Sequence, residues 1–118
     1  MLRWLDQMQD IDLNKDLLVI TGDFNAEPDS QTYALLYQQG FTSCHMHCNG
    51  KEPSQTFPTG LQAEFMDTDP PLTTDYIWVK GQCQIVNCNV DHASKQCHPE
   101  DHTIYGSDHM AIVADLII

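Results

Sequence analysis

The sequence is poor in basic residues. Of its 118 residues only five are Lys or Arg, against 17 Asp and Glu, and the formal net charge is −12 at pH 7. Proteins that bind nucleic acid without regard to sequence normally present a basic face, because released phosphate counterions drive their affinity. The composition therefore excludes a basic binding stripe and argues mildly against long duplex DNA. Either the substrate is small, or bound cations offset the charge, or basic residues lie elsewhere.

Long apolar runs are also missing. No stretch approaches the roughly 18 apolar residues that suggest a membrane-spanning helix, so no membrane span is expected. The first residues lack the basic-then-apolar layout of a signal peptide. Five cysteines cannot all pair within one chain, so reduced thiols in an intracellular compartment, cytoplasmic or nuclear, are favoured.

What is present is enough for one small domain. Hydrophobic residues make up 42% of the chain, which can supply a core. Residues 41–65 and 91–106 are polar or broken by Gly and Pro, and they are predicted mostly as loop. The other predicted elements are a helix over 2–11, a strand over 17–22, a helix over 31–37 capped by Asp29 or Ser30 and stopped by Gly40, strands over 74–79 and 84–90, and a final strand that closes the chain.

Two hydrophobic runs each border a small polar cluster. Residues 17–20 lead to Asp23 and Asn25, while Asp108 and His109 precede the last run. Each run predicts a buried strand with polar groups at one end. Mg²⁺ prefers hard oxygen ligands, and phosphoester cleavage needs an activated water and donors to the phosphoryl oxygens. Singly, each residue could be an ordinary turn or cap residue, but together they predict a phosphate-cleaving metal site.

These residues resemble a known family. Residues 22–25 (GDFN), 74–77 (TDYI) and 106–109 (GSDH) are similar, in this order, to the three C-terminal motifs of the endonuclease/exonuclease/phosphatase superfamily. Its members include abasic-site endonucleases, pancreatic deoxyribonuclease, neutral sphingomyelinases, inositol polyphosphate 5-phosphatases and nocturnin-like deadenylases. Residues 26–28 (AEP) look closest to deadenylase-like and uncharacterised hydrolase members.

The resemblance covers residues 1–118 and implies both a fold and an activity. The implied fold is α/β: the C-terminal half of a four-layer α/β sandwich, with a mixed, largely antiparallel sheet and flanking helices. The implied activity is phosphoester or phosphodiester hydrolysis that depends on Mg²⁺ or Mn²⁺. Nucleic acid, phospholipid and inositol phosphate all remain open as substrates, because loops set specificity in such folds.

The resemblance also implies roles for matching residues. Asp23 would orient or deprotonate the attacking water, or assist the leaving group. Asn25 would hold a phosphate oxygen or that same water, and Asp108 would bind or position the metal. His109 would donate to the scissile phosphate. Asp75 would pair with His109, fixing its tautomer and keeping it charged.

Two neighbouring features are implied to lie near the substrate. Tyr76 follows Asp75 and would pack beside the site, where its phenol could touch substrate. Residues 56–60 (TFPTG) resemble a substrate-side loop that precedes the aspartate-tyrosine motif in many members.

One departure from the family pattern concerns the metal. The superfamily carries an Asn motif and a metal-binding Glu in its first half, and no upstream motif of this kind is present here. The four remaining candidates match nothing: Glu27, Glu52, Glu64 and Glu100. The chain is therefore expected to be the C-terminal portion of a longer domain, inactive or weakly active alone. An apolar sheet face exposed by the missing half would allow self-association.

Cysteine and histidine offer an alternative to catalysis. Residues 44–48 (CHMHC) could hold zinc together with later ligands, drawn from Cys83, Cys88, Cys97, His98 and His102. The spacing is loose, since Cys83 and Cys88 would lie on opposite faces of a regular strand. Reduced loop cysteines are therefore favoured over a structural zinc. The last alternative is an acidic protein-interaction module without catalysis.

Overall fold

A computed structural model describes Gln7 and residues 10–59, 69–91 and 107–118. Most of the predicted helix over residues 2–11 and most of the predicted loop over 91–106 lie outside these residues. The described elements are β1 (Leu17–Asp23), α1 (Gln31–Gln38), β2 (Thr42–Ser43), α2 (Cys44–Asn49), β3 (Asp75–Gly81), β4 (Gln84–Asp91) and β5 (Ala111–Ile117).

The predicted strands and the predicted helix over 31–37 are confirmed. Ser30 caps α1, since its side chain accepts a hydrogen bond from the backbone N–H of Tyr33. Gly40 follows the helix with a φ of 83°, a left-handed conformation that glycine adopts without strain. Local capping chemistry therefore fixes both ends of α1.

The prediction of loop over residues 41–65 is wrong for its first part, which contains β2 and α2. The hydroxyl of Ser43 caps α2, and Gly50 ends it with a φ of 70°. Short helices owe most of their stability to packing rather than to propensity. Cys44 and Cys48 lie one turn apart on α2 and both pack against the same core cluster. That packing, which the local sequence does not reveal, stabilises the helix.

The strands form two sheets. One has the order β1-β3-β2 and the other contains β4 and β5, and every described strand pair is antiparallel. The register between β1 and β3 places Asp23 directly opposite Asp75. An α/β fold with antiparallel sheets is therefore confirmed, whereas the four-layer sandwich and the C-terminal-half assignment stay predictions.

The core lies on both faces of β3. On one face, Trp78 is completely buried and packs with Tyr76 against Leu36 of α1. On the other face, Val79 packs with Cys44 of α2 and with the inner side of the β4–β5 sheet. Alternate residues of one strand thus bind the helix layer and the second sheet, which fixes the position of Asp75 at the start of that strand.

The prediction that both hydrophobic runs are buried is wrong in part. In β1, Val19 is 46% exposed, and in β5 the residues alternate, with Val113 55% and Ile117 57% exposed. Val19 is thus only partly covered, and the outer face of β5 has no described layer on it. Asp115 shares that outer face, so the face is mixed rather than purely apolar. Self-association through it stays a prediction.

No helix among the described residues is long and apolar enough to cross a membrane.

Candidate functional site

Two carboxylates face each other at the edge of the three-stranded sheet. Asp23 ends β1 and Asp75 begins β3, and they are cross-strand partners in the antiparallel ladder. Like charges directly opposite each other destabilise a sheet unless something compensates them. The pairing therefore favours a positive charge, or a group that can become positively charged, close to the two carboxylates.

His109 lies between the two carboxylates. Its Nδ1 is 2.9 Å from Oδ2 of Asp75, and its Nε2 is 3.9 Å from Oδ2 of Asp23. An ionised carboxylate can only accept hydrogen bonds, so Nδ1 carries the proton and donates it to Asp75. This leaves Nε2 on the side of Asp23, with 29% of the histidine side chain exposed to solvent.

The surroundings of His109 raise its pKa. Desolvation by burial is the largest influence and lowers the pKa, but it is outweighed by several effects that raise it. These are the hydrogen bond to Asp75 and the negative charges of Asp75, Asp23 and Asp108. The imidazolium form is thus favoured at higher pH than for a free histidine.

The direction of this shift predicts a pH-dependent stability. A histidine whose folded pKa exceeds its unfolded pKa stabilises the fold fully below the unfolded value, and this contribution is lost as pH rises through the folded pKa. We expect the free energy of unfolding of the wild-type chain to fall relative to that of His109→Asn as pH rises from below about 6.5. Urea denaturation at a series of pH values measures this difference. A difference that grows with pH would contradict the arrangement.

Two threonine hydroxyls hold the carboxylate of Asp75. Oγ1 of Thr56 donates to Oδ2 at 2.7 Å, and Oγ1 of Thr74 does so at 3.2 Å. Thr56 is completely buried. The sequence predicted residues 56–60 as a substrate-side loop and did not predict this contact. No local pattern could have revealed it, because Thr56 and Asp75 are 19 residues apart.

Asn25 occupies a tight turn beside Asp23. Its backbone N–H donates to Oδ1 of Asp23 at 2.8 Å, and its φ is 48°, a left-handed value that asparagine tolerates better than most residues. Asn25 is exposed. One oxygen of Asp23 is therefore used to shape the turn, while the other faces His109.

Tyr76 is a core residue behind this turn. It is 3% exposed, and its hydroxyl lies 2.8 Å from the carbonyl oxygens of both Ala26 and Thr73. The phenol is thus engaged inside the protein, which favours the packing interpretation over contact with substrate. It anchors the chain immediately after Asn25.

The segment that carries Asp108 and His109 is held by residues 56–59. The carbonyl oxygen of Thr56 accepts from the N–H of Met110 at 2.7 Å, and the N–H of Thr59 donates to the carbonyl oxygen of Asp108 at 2.9 Å. The ring of Phe57 lies 4.7 Å from that of His109. The histidine is therefore fixed through its backbone and along one ring face. Gly106 of the third motif lies outside the described residues.

An open groove adjoins the site. Its volume is about 330 Å³, and it runs between the two sheets past Gly22, Asp75 and Met110. The carboxylate of Asp75 is thus bound by Thr56, Thr74 and His109, while the groove lies open beside the start of its strand.

The described residues do not by themselves complete a metal site. No group of three or more His, Cys, Asp or Glu side chains among them is arranged to hold a metal ion. Glu52 is buried, and its Oε1 accepts a hydrogen bond from the hydroxyl of Tyr33 at 2.7 Å, so that oxygen is engaged inside the protein. Glu27 is exposed, and Glu64 and Glu100 lie outside the described residues. Asp108 follows Ser107 at the tip of the same segment as His109.

The cysteines belong to the core. Cys44 and Cys88 are completely buried, with Cys48 and Cys83 packed against the same cluster, and all four are free thiols. Burial raises the pKa of Cys44 to about 12 and that of Cys88 to about 11, so both are protonated at neutral pH. The prediction of loop cysteines is wrong for Cys44 and Cys48, which lie in α2, whereas Cys88 lies in β4, within the strand predicted over 84–90. Cys97, His98 and His102 lie outside the described residues.

A protein-family model matches most of the chain. The matching family model is described as the endonuclease/exonuclease/phosphatase family, and it matches residues 1–109. Neither a comparison with curated proteins nor one with solved structures gave a match. Because the family match covers most of the chain, the chain belongs to the endonuclease/exonuclease/phosphatase family, whose members are hydrolases that act on phosphoester bonds.

Proposed function

We propose that the site hydrolyses a phosphoester or phosphodiester with the help of a divalent cation, Mg²⁺ or Mn²⁺. The observation that carries this proposal is the position of His109 between Asp23 and Asp75, at 3.9 Å and 2.9 Å. Hydrolysis at phosphorus places negative charge on the phosphoryl oxygens, and a preorganised donor stabilises that charge. A charged imidazole held by a carboxylate suits this purpose.

The chain's own residues divide the work in this proposal. Protonated His109 donates from Nε2 to a phosphoryl oxygen, while Nδ1 stays bound to Asp75. Asp23 orients the attacking water or takes its proton, since its Oδ2 lies on the Nε2 side of His109. Asn25 holds a phosphate oxygen with its exposed amide.

The cation is the least complete part of the site. Asp108 is the proposed ligand, and carboxylate oxygen suits Mg²⁺ or Mn²⁺. The described residues supply no further group that fits a metal ion. We therefore propose that additional ligands come from outside them, as expected if this chain is the C-terminal portion of a four-layer domain. A bound cation would supply charge at the phosphoryl oxygens.

A substrate panel with cation controls tests the proposal. The panel contains an activated phosphodiester, an oligonucleotide, poly(A), sphingomyelin and a phosphoinositide, each with Mg²⁺, with Mn²⁺ and with a chelator. We expect slow, cation-dependent turnover of at least one substrate, with Asp108→Asn weakening the cation dependence. Short or small substrates are favoured over long duplex DNA, because the net charge is −12. Absence of turnover throughout the panel, or turnover unaffected by the chelator, would contradict the proposal.

A further inference from the structure

Thr56 is held more tightly than any role in a surface loop requires. Its N–H donates to the carbonyl oxygen of Leu72 at 2.8 Å, and its own carbonyl oxygen accepts from Met110 at 2.7 Å. Its side chain is completely buried, so no solvent competes for its hydroxyl. The residue thus joins the approach to β3 with the approach to β5.

The hydrogen-bond geometry fixes where the Thr56 hydroxyl points. A hydroxyl has one proton to donate and two lone pairs that accept. Oγ1 accepts from the backbone N–H of Thr74 at 3.1 Å and from that of Asp75 at 3.2 Å. With both lone pairs engaged, the single proton is directed to Oδ2 of Asp75, at 2.7 Å.

The same carboxylate oxygen receives His109. Nδ1 of the imidazole docks on Oδ2 of Asp75 at 2.9 Å. We propose that Thr56 is a positioning residue for His109: its hydroxyl fixes the Asp75 carboxylate in the orientation on which the imidazole docks. This inference rests on the proposed function, in which His109 acts on the phosphoryl group. Thr56 itself touches no reacting atom.

The backbone around Thr56 supports the same role. Residues 56 and 59 bracket His109 through the hydrogen bonds to Met110 and Asp108, and Phe57 packs on the imidazole face. One short segment therefore sets the backbone of the histidine, its ring face and, through Asp75, its ring nitrogen. A threonine that only filled space would need none of the polar contacts.

Two variants of the whole chain separate the hydroxyl from the methyl group. Thr56→Val keeps the branched shape and removes the hydroxyl, whereas Thr56→Ser keeps the hydroxyl. We expect Thr56→Val to lower kcat by about 10- to 100-fold with little change in KM, because small misplacements of a catalytic group cost about this much. We expect Thr56→Ser to stay within a few-fold of wild type.

A spectroscopic readout distinguishes positioning from a merely structural role. The Nδ1 proton of His109, donated to a carboxylate, should give a downfield ¹⁵N-coupled proton resonance, assigned by its loss in His109→Asn. We expect this resonance in wild type and Thr56→Ser and its loss in folded Thr56→Val. Its persistence in Thr56→Val, or its absence from wild type, would overturn the proposal.

Two controls keep the test decisive. Thr74→Val removes a hydroxyl that donates to the same oxygen through a longer contact of 3.2 Å, and a smaller effect is expected. If Thr56→Val does not fold, Thr56→Cys replaces it, since a thiol of similar size is only a weak donor. Partial loss of the resonance in Thr56→Cys supports the proposal, and a wild-type resonance overturns it.

The resonance can be measured without turnover. A wild-type chain without phosphoesterase activity would therefore refute the proposed function and leave this test of Thr56 intact.

Discussion

Replacement of His109 by asparagine is expected to lower kcat for phosphoester hydrolysis by about 10²- to 10³-fold, equivalent to about 2.7–4 kcal/mol of transition-state stabilisation. The asparagine amide reaches the position of Nδ1 and can still donate to Asp75. It leaves no donor at the position of Nε2, which lies 3.9 Å from Asp23. The variant therefore removes the group presented to the phosphoryl oxygen while preserving the partner of Asp75.

Glutamine at the same position provides the matched control. Its longer side chain carries an uncharged donor close to the position of Nε2, so His109→Gln should retain more activity than His109→Asn. Steady-state kinetics with one substrate and saturating cation measure both variants. Equal activities in wild type and His109→Asn would contradict a role for the imidazole, and circular dichroism checks that both variants fold.

Replacement of Asp75 by asparagine is expected to lower kcat by about 10²-fold, within the range for lost acid–base function. The hydroxyls of Thr56 and Thr74 both donate toward Oδ2, so the amide oxygen of the asparagine should occupy that position. The histidine tautomer is then preserved, and the main loss is the negative charge that raises the pKa of His109. Less imidazolium remains at a given pH.

The pH dependence of this variant is the decisive measurement. If Asp75 acts by keeping His109 protonated, the ratio of wild-type to Asp75→Asn activity should increase as pH rises from about 6.5, the ordinary histidine pKa. A ratio independent of pH would mean that Asp75 acts by orientation alone. Asp75→Ala serves as control, since it also leaves the buried Thr56 hydroxyl without its acceptor and should be less active still.

Patterns local in sequence predicted much of the fold. Ser30 and Gly40 mark the ends of α1 through capping chemistry that depends only on neighbouring residues. The three motifs predicted the family, which the match over residues 1–109 confirms. Features decided by distant contacts were missed. The short helix α2 depends on packing against β4, and the role of Thr56 depends on hydrogen bonds to residues 18 and 19 positions away.

The positions of Cys83 and Cys88 show the same limit of prediction from local sequence, here in a strand. A regular strand would put Cys83 and Cys88 on opposite faces, because they are separated by an odd number of positions. The register of β4 against β5 shifts between Ile85 and Asn87, which marks a bulge. One extra residue reverses the alternation, so both cysteines pack in the same core cluster. Alternation in a sequence carries no mark of such an insertion.

The placement of His109 also bears on the stability of the sheet that carries the two carboxylates. Asp23 and Asp75 are cross-strand partners in the β1–β3 ladder, and the imidazole lies 3.9 Å from one and 2.9 Å from the other. Like charges directly opposite each other weaken a strand pair. Without the imidazole, the repulsion between the two carboxylates would oppose the β1–β3 pairing. The histidine that completes the chemistry thus also helps to hold together the two strands on which the site is built.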